Sequence, residues 1–211
     1  MIRIVNLRHR LIDIPDLTVD ARHIAVIGPN GSGKTTLLAV CSGIEEPRRG
    51  TVQLLGRPPS AVRIGWVGEF PDRTLLFSRV YDEIASSPRF HHRSCRETDE
   101  RVRAAATQVG ISHLLEKKVS ALSGGEKALV ALAAAGVDDP EVLILDEADS
   151  HLDAGTAACV QSAVQKSTAA HTLWCTQSMA GGVVRHHGTP EEVFTRLEET
   201  CFYPTMWRIR R

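Results

Sequence analysis

The sequence predicts a parallel α/β sheet interrupted by a helical insertion. Three observations predict it: short apolar runs that read as buried strands, helical patterns alternating with them, and a middle region, about 78 to 136, that is helical. Along the chain, residues 2–5 and 17–19 read as short strands. Ile24-Ala25-Val26-Ile27 is a buried strand, and Thr36 to Cys41 starts a helix. Thr51 to Leu55, between Arg49-Gly50 and Gly56, is a strand bounded by turn signals, and Ile64 to Val67 is another. Glu97 to Val109 carries Val102, Ala105, Ala106 and Val109 at helical spacing. Val142 to Leu145 returns to strand, Ala154 to Gln165 is helical, and His171 to Cys175 is the last core strand. A chain of 211 residues supports one substantial core, or a core with a smaller inserted subdomain.

Composition narrows the function. The 25 basic and 25 acidic residues cancel, which counts against a nucleic-acid binder driven by phosphate contacts. Five cysteines are scattered without a C-x-x-C pair. Cys41 and Cys159 fall in predicted helices and Cys175 in a predicted strand, so buried free thiols are expected. The start lacks the apolar stretch of a signal peptide, and the longest apolar run, Ala128 to Val137, is ten residues, too short to span a bilayer. A cytoplasmic protein is expected, with any membrane part supplied by a partner.

Residues 28 to 35, Gly28-Pro29-Asn30-Gly31-Ser32-Gly33-Lys34-Thr35, match G-x-x-x-x-G-K-[ST] in full. The glycines let backbone N–H groups turn inward around a triphosphate, and Lys34 reaches the β- and γ-phosphates. The Thr35 hydroxyl ligates Mg²⁺. An apolar strand before the loop and a helix from Thr36 after it supply the required context, the helix N-terminus facing the phosphates. Farther on, Val142-Leu143-Ile144-Leu145-Asp146-Glu147 ends a buried strand on two carboxylates, at the edge where open α/β sheets bind ligands. Asp146 is expected to hold Mg²⁺ through water and Glu147 to polarise an attacking water. In Leu122-Ser123-Gly124-Gly125-Glu126-Lys127, Ser123 and Glu126 form a capping box that opens a helix through Gly136. Two glycines in its first turn cost about 1 kcal/mol each against alanine. Bare backbone at a positive helix end suits the close approach of an anion.

With these three motifs in this order, the chain resembles the ATP-binding cassette (ABC) ATPases over nearly its whole length. The resemblance implies a P-loop NTPase core, a parallel sheet with an antiparallel β edge, plus a helical signature subdomain, all one domain over residues 1–211. It implies ATP and Mg²⁺ as ligand and cofactor, and a head-to-tail dimer with a second ABC ATPase subunit. Each ATP then lies between one subunit's P-loop (28–36, through Thr36) and the partner copy's Ser123, Gly124, Gly125 and Glu126. Ser150-His151-Leu152-Asp153 is placed where the subunits touch. Pro71 to Phe77 and Val80 to Ala85, with Gly188 to Phe194, look like stretches of energy-coupling-factor and cobalt-type importer ATPases. Those import vitamins and transition-metal ions through a separate integral membrane subunit. The resemblance thus implies ATP hydrolysis coupled to transport, at the inner face of the cell membrane. Phe70, Leu75, Leu76, Phe77 and Tyr81 are candidates either for contact with that subunit or for packing between lobes. A soluble non-transport ATPase and a near-inactive ATP clamp in a heterodimer remain open.

The sequence departs from the family at four places. Glu69 stands where a Mg²⁺-ligating glutamine is usual, and it keeps an oxygen ligand while adding negative charge. Gln177 stands at the switch histidine, where an amide donates a hydrogen bond but shuttles no proton, so slow turnover is expected. Leu129 replaces an arginine, removing an ion pair. No aromatic residue precedes the P-loop to stack on adenine, leaving His9, or Arg8 or Arg10, as the nearest candidates. His186-His187 read as surface residues rather than a displaced switch or metal pair, and the basic end at Trp207 to Arg211 as a solvated terminus or a basic contact with a membrane surface or partner.

Overall fold

The computed structural model describes residues 1–28, 30–148 and 152–177. They divide into two compact units. The first takes Met1–Asp20, Ala25–Pro59 and the stretch from Cys175 on; the second takes Ala21–Ile24 and Ser60–Trp174.

The first unit opens with a hairpin, β1 (Ile2–His9) and β2 (Ile12–Val19), in antiparallel register with Leu7 opposite Ile14. Both strands run farther than the short segments expected at 2–5 and 17–19. A β-bulge between Val5 and Arg8, with Asn6 at φ 48°, shifts the alternation so that Ile2, Ile4 and then Leu7 face the core. A strict two-residue period therefore breaks at residue 5 although the strand continues. Pro15 hides β2 in the same way, yet β2 is an edge strand, where a missing N–H is tolerated. After β3 (His23–Gly28) and α1 (Lys34–Cys41), β4 (Arg49–Leu54) completes the sheet in the order β2-β1-β4. This is the antiparallel sheet.

The second unit holds β5 (Ile64–Val67), a short helix α2 (Pro71–Thr74), α3 (Val80–Phe90), α4 (Cys95–Val109), α5 (Gly124–Gly136), β6 (Val142–Asp146), α6 (Ala154–Gln165) and β7 (His171–Gln177). The four-stranded sheet runs β3-β7-β6-β5, and the boundary between the units falls within β3 and within β7. β5 and β6 are parallel, with Val67 opposite Leu145. β6 is buried at every position, as a continuous apolar run requires. The helices fall where the middle region was expected to be helical. α4 starts at Cys95, two residues before the expected Glu97, because Ser94 and Glu97 form a reciprocal capping box.

Two apolar clusters hold this unit. Val80, Ile84, Val102, Ile111, Leu114 and Val130 join α3, α4 and α5, while Leu132, Leu143, Leu145, Val160 and Val164 join α5 and α6 to the sheet. Each such side chain contributes about 1.5–3 kcal/mol by leaving water. Leu129 packs against both clusters, so an apolar contact stands where the resemblance anticipated a lost ion pair. Cys41 and Cys175 are buried as expected. Cys159 is exposed instead, because α6 buries the stripe Val160, Ala163 and Val164 and Cys159 falls outside it. Among the described residues, no helix is long and apolar enough to cross a membrane.

Candidate nucleotide site

In the first unit, Gly28 ends β3 and Lys34 begins α1. Gly33 sits at φ 95°, a left-handed conformation that side chains avoid, and a Cβ there would lie 3.1 Å from Ile12 Cγ1. The turn favours glycine, and a larger residue would also push Ile12 aside by a few tenths of an ångström. With glycine as N-cap, α1 starts without a side-chain cap and without an acidic residue in its first turn. No carboxylate of the first turn therefore competes with an anion at this helix end. The Lys34 side chain is buried and donates from Nζ to the Gly28 carbonyl oxygen at 2.9 Å, which places its ammonium inside the loop. Thr35 is exposed at the helix start. Gly31, Ser32 and Thr36 belong to the same turn and helix; Asn30 lies just before them, and Pro29 lies outside the described residues.

The hairpin tip touches the loop through Ile12. His9 is committed elsewhere: its Nε2 pairs with Glu45 Oε2 at 2.7 Å, and the side chain is only 10% exposed. Arg10 pairs with the other Glu45 oxygen at 3.0 Å and Arg8 with Asp13 at 3.1 Å. Leu11, by contrast, is exposed.

In the second unit the parallel register of β5 and β6 brings Glu69 and Asp146 out at one sheet edge. Asp146 and Glu147 are both buried, and Glu69 is half-buried. Glu147 sits at φ 51°, rare for a non-glycine residue and a cost that functional sites tend to retain. Glu69 and Asp146 offer only oxygen, the donor type that Mg²⁺ prefers, and the Thr35 hydroxyl in the first unit is of the same type. Among the described residues no three His, Cys, Asp or Glu gather as a ready-made metal cage.

The expected capping box at α5 is present. Ser123 N donates to Glu126 Oε2 at 2.8 Å, and Glu126 N donates to Ser123 Oγ at 3.2 Å. The hydrogen bonds from Ser123 hold the Glu126 carboxyl below its usual range. The two glycines have different reasons. A Cβ on Gly124 would meet nothing within 4 Å, whereas one on Gly125 would come within 2.8 Å of Thr156 Cγ2 and Oγ1. Gly124 leaves the helix end open, while Gly125 lets α5 pack closely on α6. Thr156 in turn donates to Asp153 Oδ2 at 2.7 Å, and Asp153 caps α6 through the N–H groups of Gly155 and Thr156. The sequence reading assigned Asp153 only to the subunit contact and missed this lock, although D-x-x-T before an apolar helix signals it. Ser150 and His151 lie outside the described residues. Of Gln177, the backbone ends β7. Gly188–Phe194, His186-His187 and the basic end also lie outside the described residues.

The five partner-contact candidates separate. Phe70, Leu76 and Phe77 are exposed, while Leu75 and Tyr81 pack against the helical cluster. Tyr81 Oη donates to Asp99 Oδ1 at 3.1 Å. Nearby, a cavity of about 510 Å³ is lined by residues including Arg63, Leu75, Glu83, Ser87, His91 and Asp138.

A G-x-x-x-x-G-K-[ST] loop between a strand and a helix, in a mixed α/β fold, defines the P-loop class of protein. The family model described as ABC transporter matches residues 16–150, and the chain belongs to that family. It is similar to the molybdate/tungstate import ATP-binding protein WtpC of Pyrococcus abyssi, 36% identical over 164 residues that cover 72% of this chain and 46% of that protein. It is also similar to the nickel import ATP-binding protein NikO of Rhodobacter capsulatus, 37% identical over 152 residues, covering 65% and 60%. The chain thus spans about half the length of such relatives. Among solved structures, cbiO1 from Clostridium perfringens, part of the ABC transporter complex cbiONQ, superposes with a TM-score of 0.82. It is 26% identical, over 92% of this chain and 90% of that one. The likeness to energy-coupling and cobalt-type ATPases read from the sequence is borne out.

Proposed function

We propose that this chain is the ATP-binding and hydrolysing subunit of an ABC importer that drives a separate membrane subunit at the inner face of the membrane. The cargo class is a vitamin or a transition-metal ion, and the similarities to proteins named for nickel import and for molybdate/tungstate import favour the metal. The single observation that carries ATP hydrolysis is Glu147: a carboxylate buried at the end of β6, directly after Asp146, held at a costly φ. In this reading the P-loop and Lys34 bind the triphosphate. Ser123 and Gly124 of a second copy, or of a related cassette, close the γ-phosphate side. Glu147 accepts the proton of the attacking water, and Gln177 donates a hydrogen bond to the γ-phosphate. Thr35, Asp146 and Glu69 hold Mg²⁺, which offsets the phosphate charge. The whole of residues 1–211 acts as one ATPase domain whose helices at about 78–136 carry the signature. Phe70, Leu76 and Phe77 meet the membrane partner.

Turnover of Mg-ATP by the purified chain, beside Glu147→Gln, tests the reading. The substitution keeps the shape and removes the base, so a loss of at least ~100-fold with an ATP-trapped dimer is expected. Binding without turnover in the unsubstituted chain would instead favour the clamp reading, for which Gln177 at the switch position is the specific sign.

A further inference from the structure

Glu83 is a buried carboxylate to which the proposed chemistry gives no task. Its residue is only 6% exposed, on the first turns of α3. One oxygen, Oε2, accepts from two successive backbone N–H groups, Leu76 at 2.8 Å and Phe77 at 2.7 Å. The two residues so held are apolar and turned to solvent, Leu76 at 82% and Phe77 at 37% exposure. Apolar side chains in water gain nothing from being fixed there, so the buried charge is spent on the shape of the tip.

The tip is also braced from its other side. Val119 N donates to the Ser78 carbonyl at 2.9 Å, Val80 N to Lys117 O at 3.1 Å and Tyr81 N to Leu115 O at 3.0 Å. The braced segment runs on through the 3₁₀ turn Val119–Ala121 and the buried Leu122 into Ser123, the N-cap of α5. Backbone hydrogen bonds between the 115–119 segment and Ser78, Val80 and Tyr81, and the chain itself from Val119 to Ser123, thus connect the tip with the signature end.

We propose that Glu83 is a positioning residue that fixes the Leu76–Phe77 tip and, through the 115–119 segment, ties its placement to Ser123. The inference rests on the proposed function only in taking the tip as the face that a partner meets. Amide hydrogen exchange, resolved by residue on the chain alone, tests it with Glu83→Gln and Glu83→Leu. Glutamine retains one oxygen able to accept both bonds; leucine fills the space without an acceptor. In Glu83→Leu, exchange at Leu76 and Phe77 should rise roughly ten-fold and at Val80, Tyr81 and Val119 several-fold. α4 serves as an unchanged reference, and Glu83→Gln should stay within about two-fold of the unsubstituted chain. Unprotected Leu76 and Phe77 amides in the unsubstituted chain would overturn the proposal, whatever the variants do. So would acceleration confined to 76–77, spread evenly into α4, or equal in both variants. Exchange is read without nucleotide or partner, so a chain that fails to hydrolyse ATP leaves this result to stand or fall by itself.

Discussion

The Lys34 ammonium donates to the carbonyl oxygen of Gly28, six residues earlier, at 2.9 Å, so the loop closes over its own lysine. The positive charge is buried where phosphates are expected, and the same loop carbonyl holds it in place. Lys34→Met keeps the stem that packs in the loop and removes the charge. We expect nucleotide affinity, read by titration with a fluorescent ATP analogue, to fall at least ~10-fold, the equivalent of about 1.4 kcal/mol. The thermal midpoint should stay close to that of the unsubstituted chain.

Base discrimination should be weak. His9 is held by Glu45 and is only 10% exposed, so its ring is not presented to a base, while Arg8 and Arg10 pair with Asp13 and Glu45 at the surface. Leu11 is the exposed apolar surface beside them, and an apolar contact reads no base edge. ATP and GTP should compete for the site within about five-fold of each other. A preference for ATP above a hundred-fold in competition titrations would show a hydrogen-bonded base contact.

Acid should loosen the helix caps. The Glu126 and Glu97 carboxyls are held low, chiefly by hydrogen bonds from Ser123 and Ser94, and that of Asp153 chiefly by Thr156. For a group whose folded pKa is depressed, the added stability is present above the unfolded value and is lost as pH falls through the folded one. The starts of α4, α5 and α6 should therefore be firm at neutral pH and weaken only below the ordinary carboxylate range. Carboxyl titration by NMR should give midpoints for these three below those of free glutamate and aspartate.

The described cysteines should separate into two classes. Burial pushes the Cys41 thiol up to about 12, and Cys175 is buried as well, whereas Cys95 and Cys159 are exposed. The thiolate is the reactive form, so iodoacetamide at neutral pH should modify Cys95 and Cys159 in the folded chain. Cys41 and Cys175 should react only on unfolding. Peptide mapping of the labelled protein reads the outcome directly.

The capping box of Ser94 and Glu97 should contribute about 1 kcal/mol through Ser94, so Ser94→Ala should lower the denaturation midpoint without touching nucleotide binding. Urea unfolding beside the affinity titration separates the two effects.

Local chemistry was legible in the residues themselves. The P-loop, the acidic end of β6 and the capping box at Ser123 are each set by a few consecutive positions, whose backbone demands and side chains do not depend on distant partners. The strands β5 and β6 and the helix α6 were equally legible, because a short buried run or a capped periodic stretch has one low-energy solution. Tertiary structure decided the rest. The hairpin strands extended beyond their apparent ends because a bulge and an edge position absorb what Asn6 and Pro15 would otherwise break. Gly125 proved to be a packing requirement imposed by Thr156, and His9 was claimed by Glu45, 36 residues away in sequence. Glu83, one acidic residue among 25 acids, acquired its role only when folding laid two backbone N–H groups against it. Such partners are chosen by which surfaces meet, and a one-dimensional pattern carries no record of distances between residues far apart in the chain.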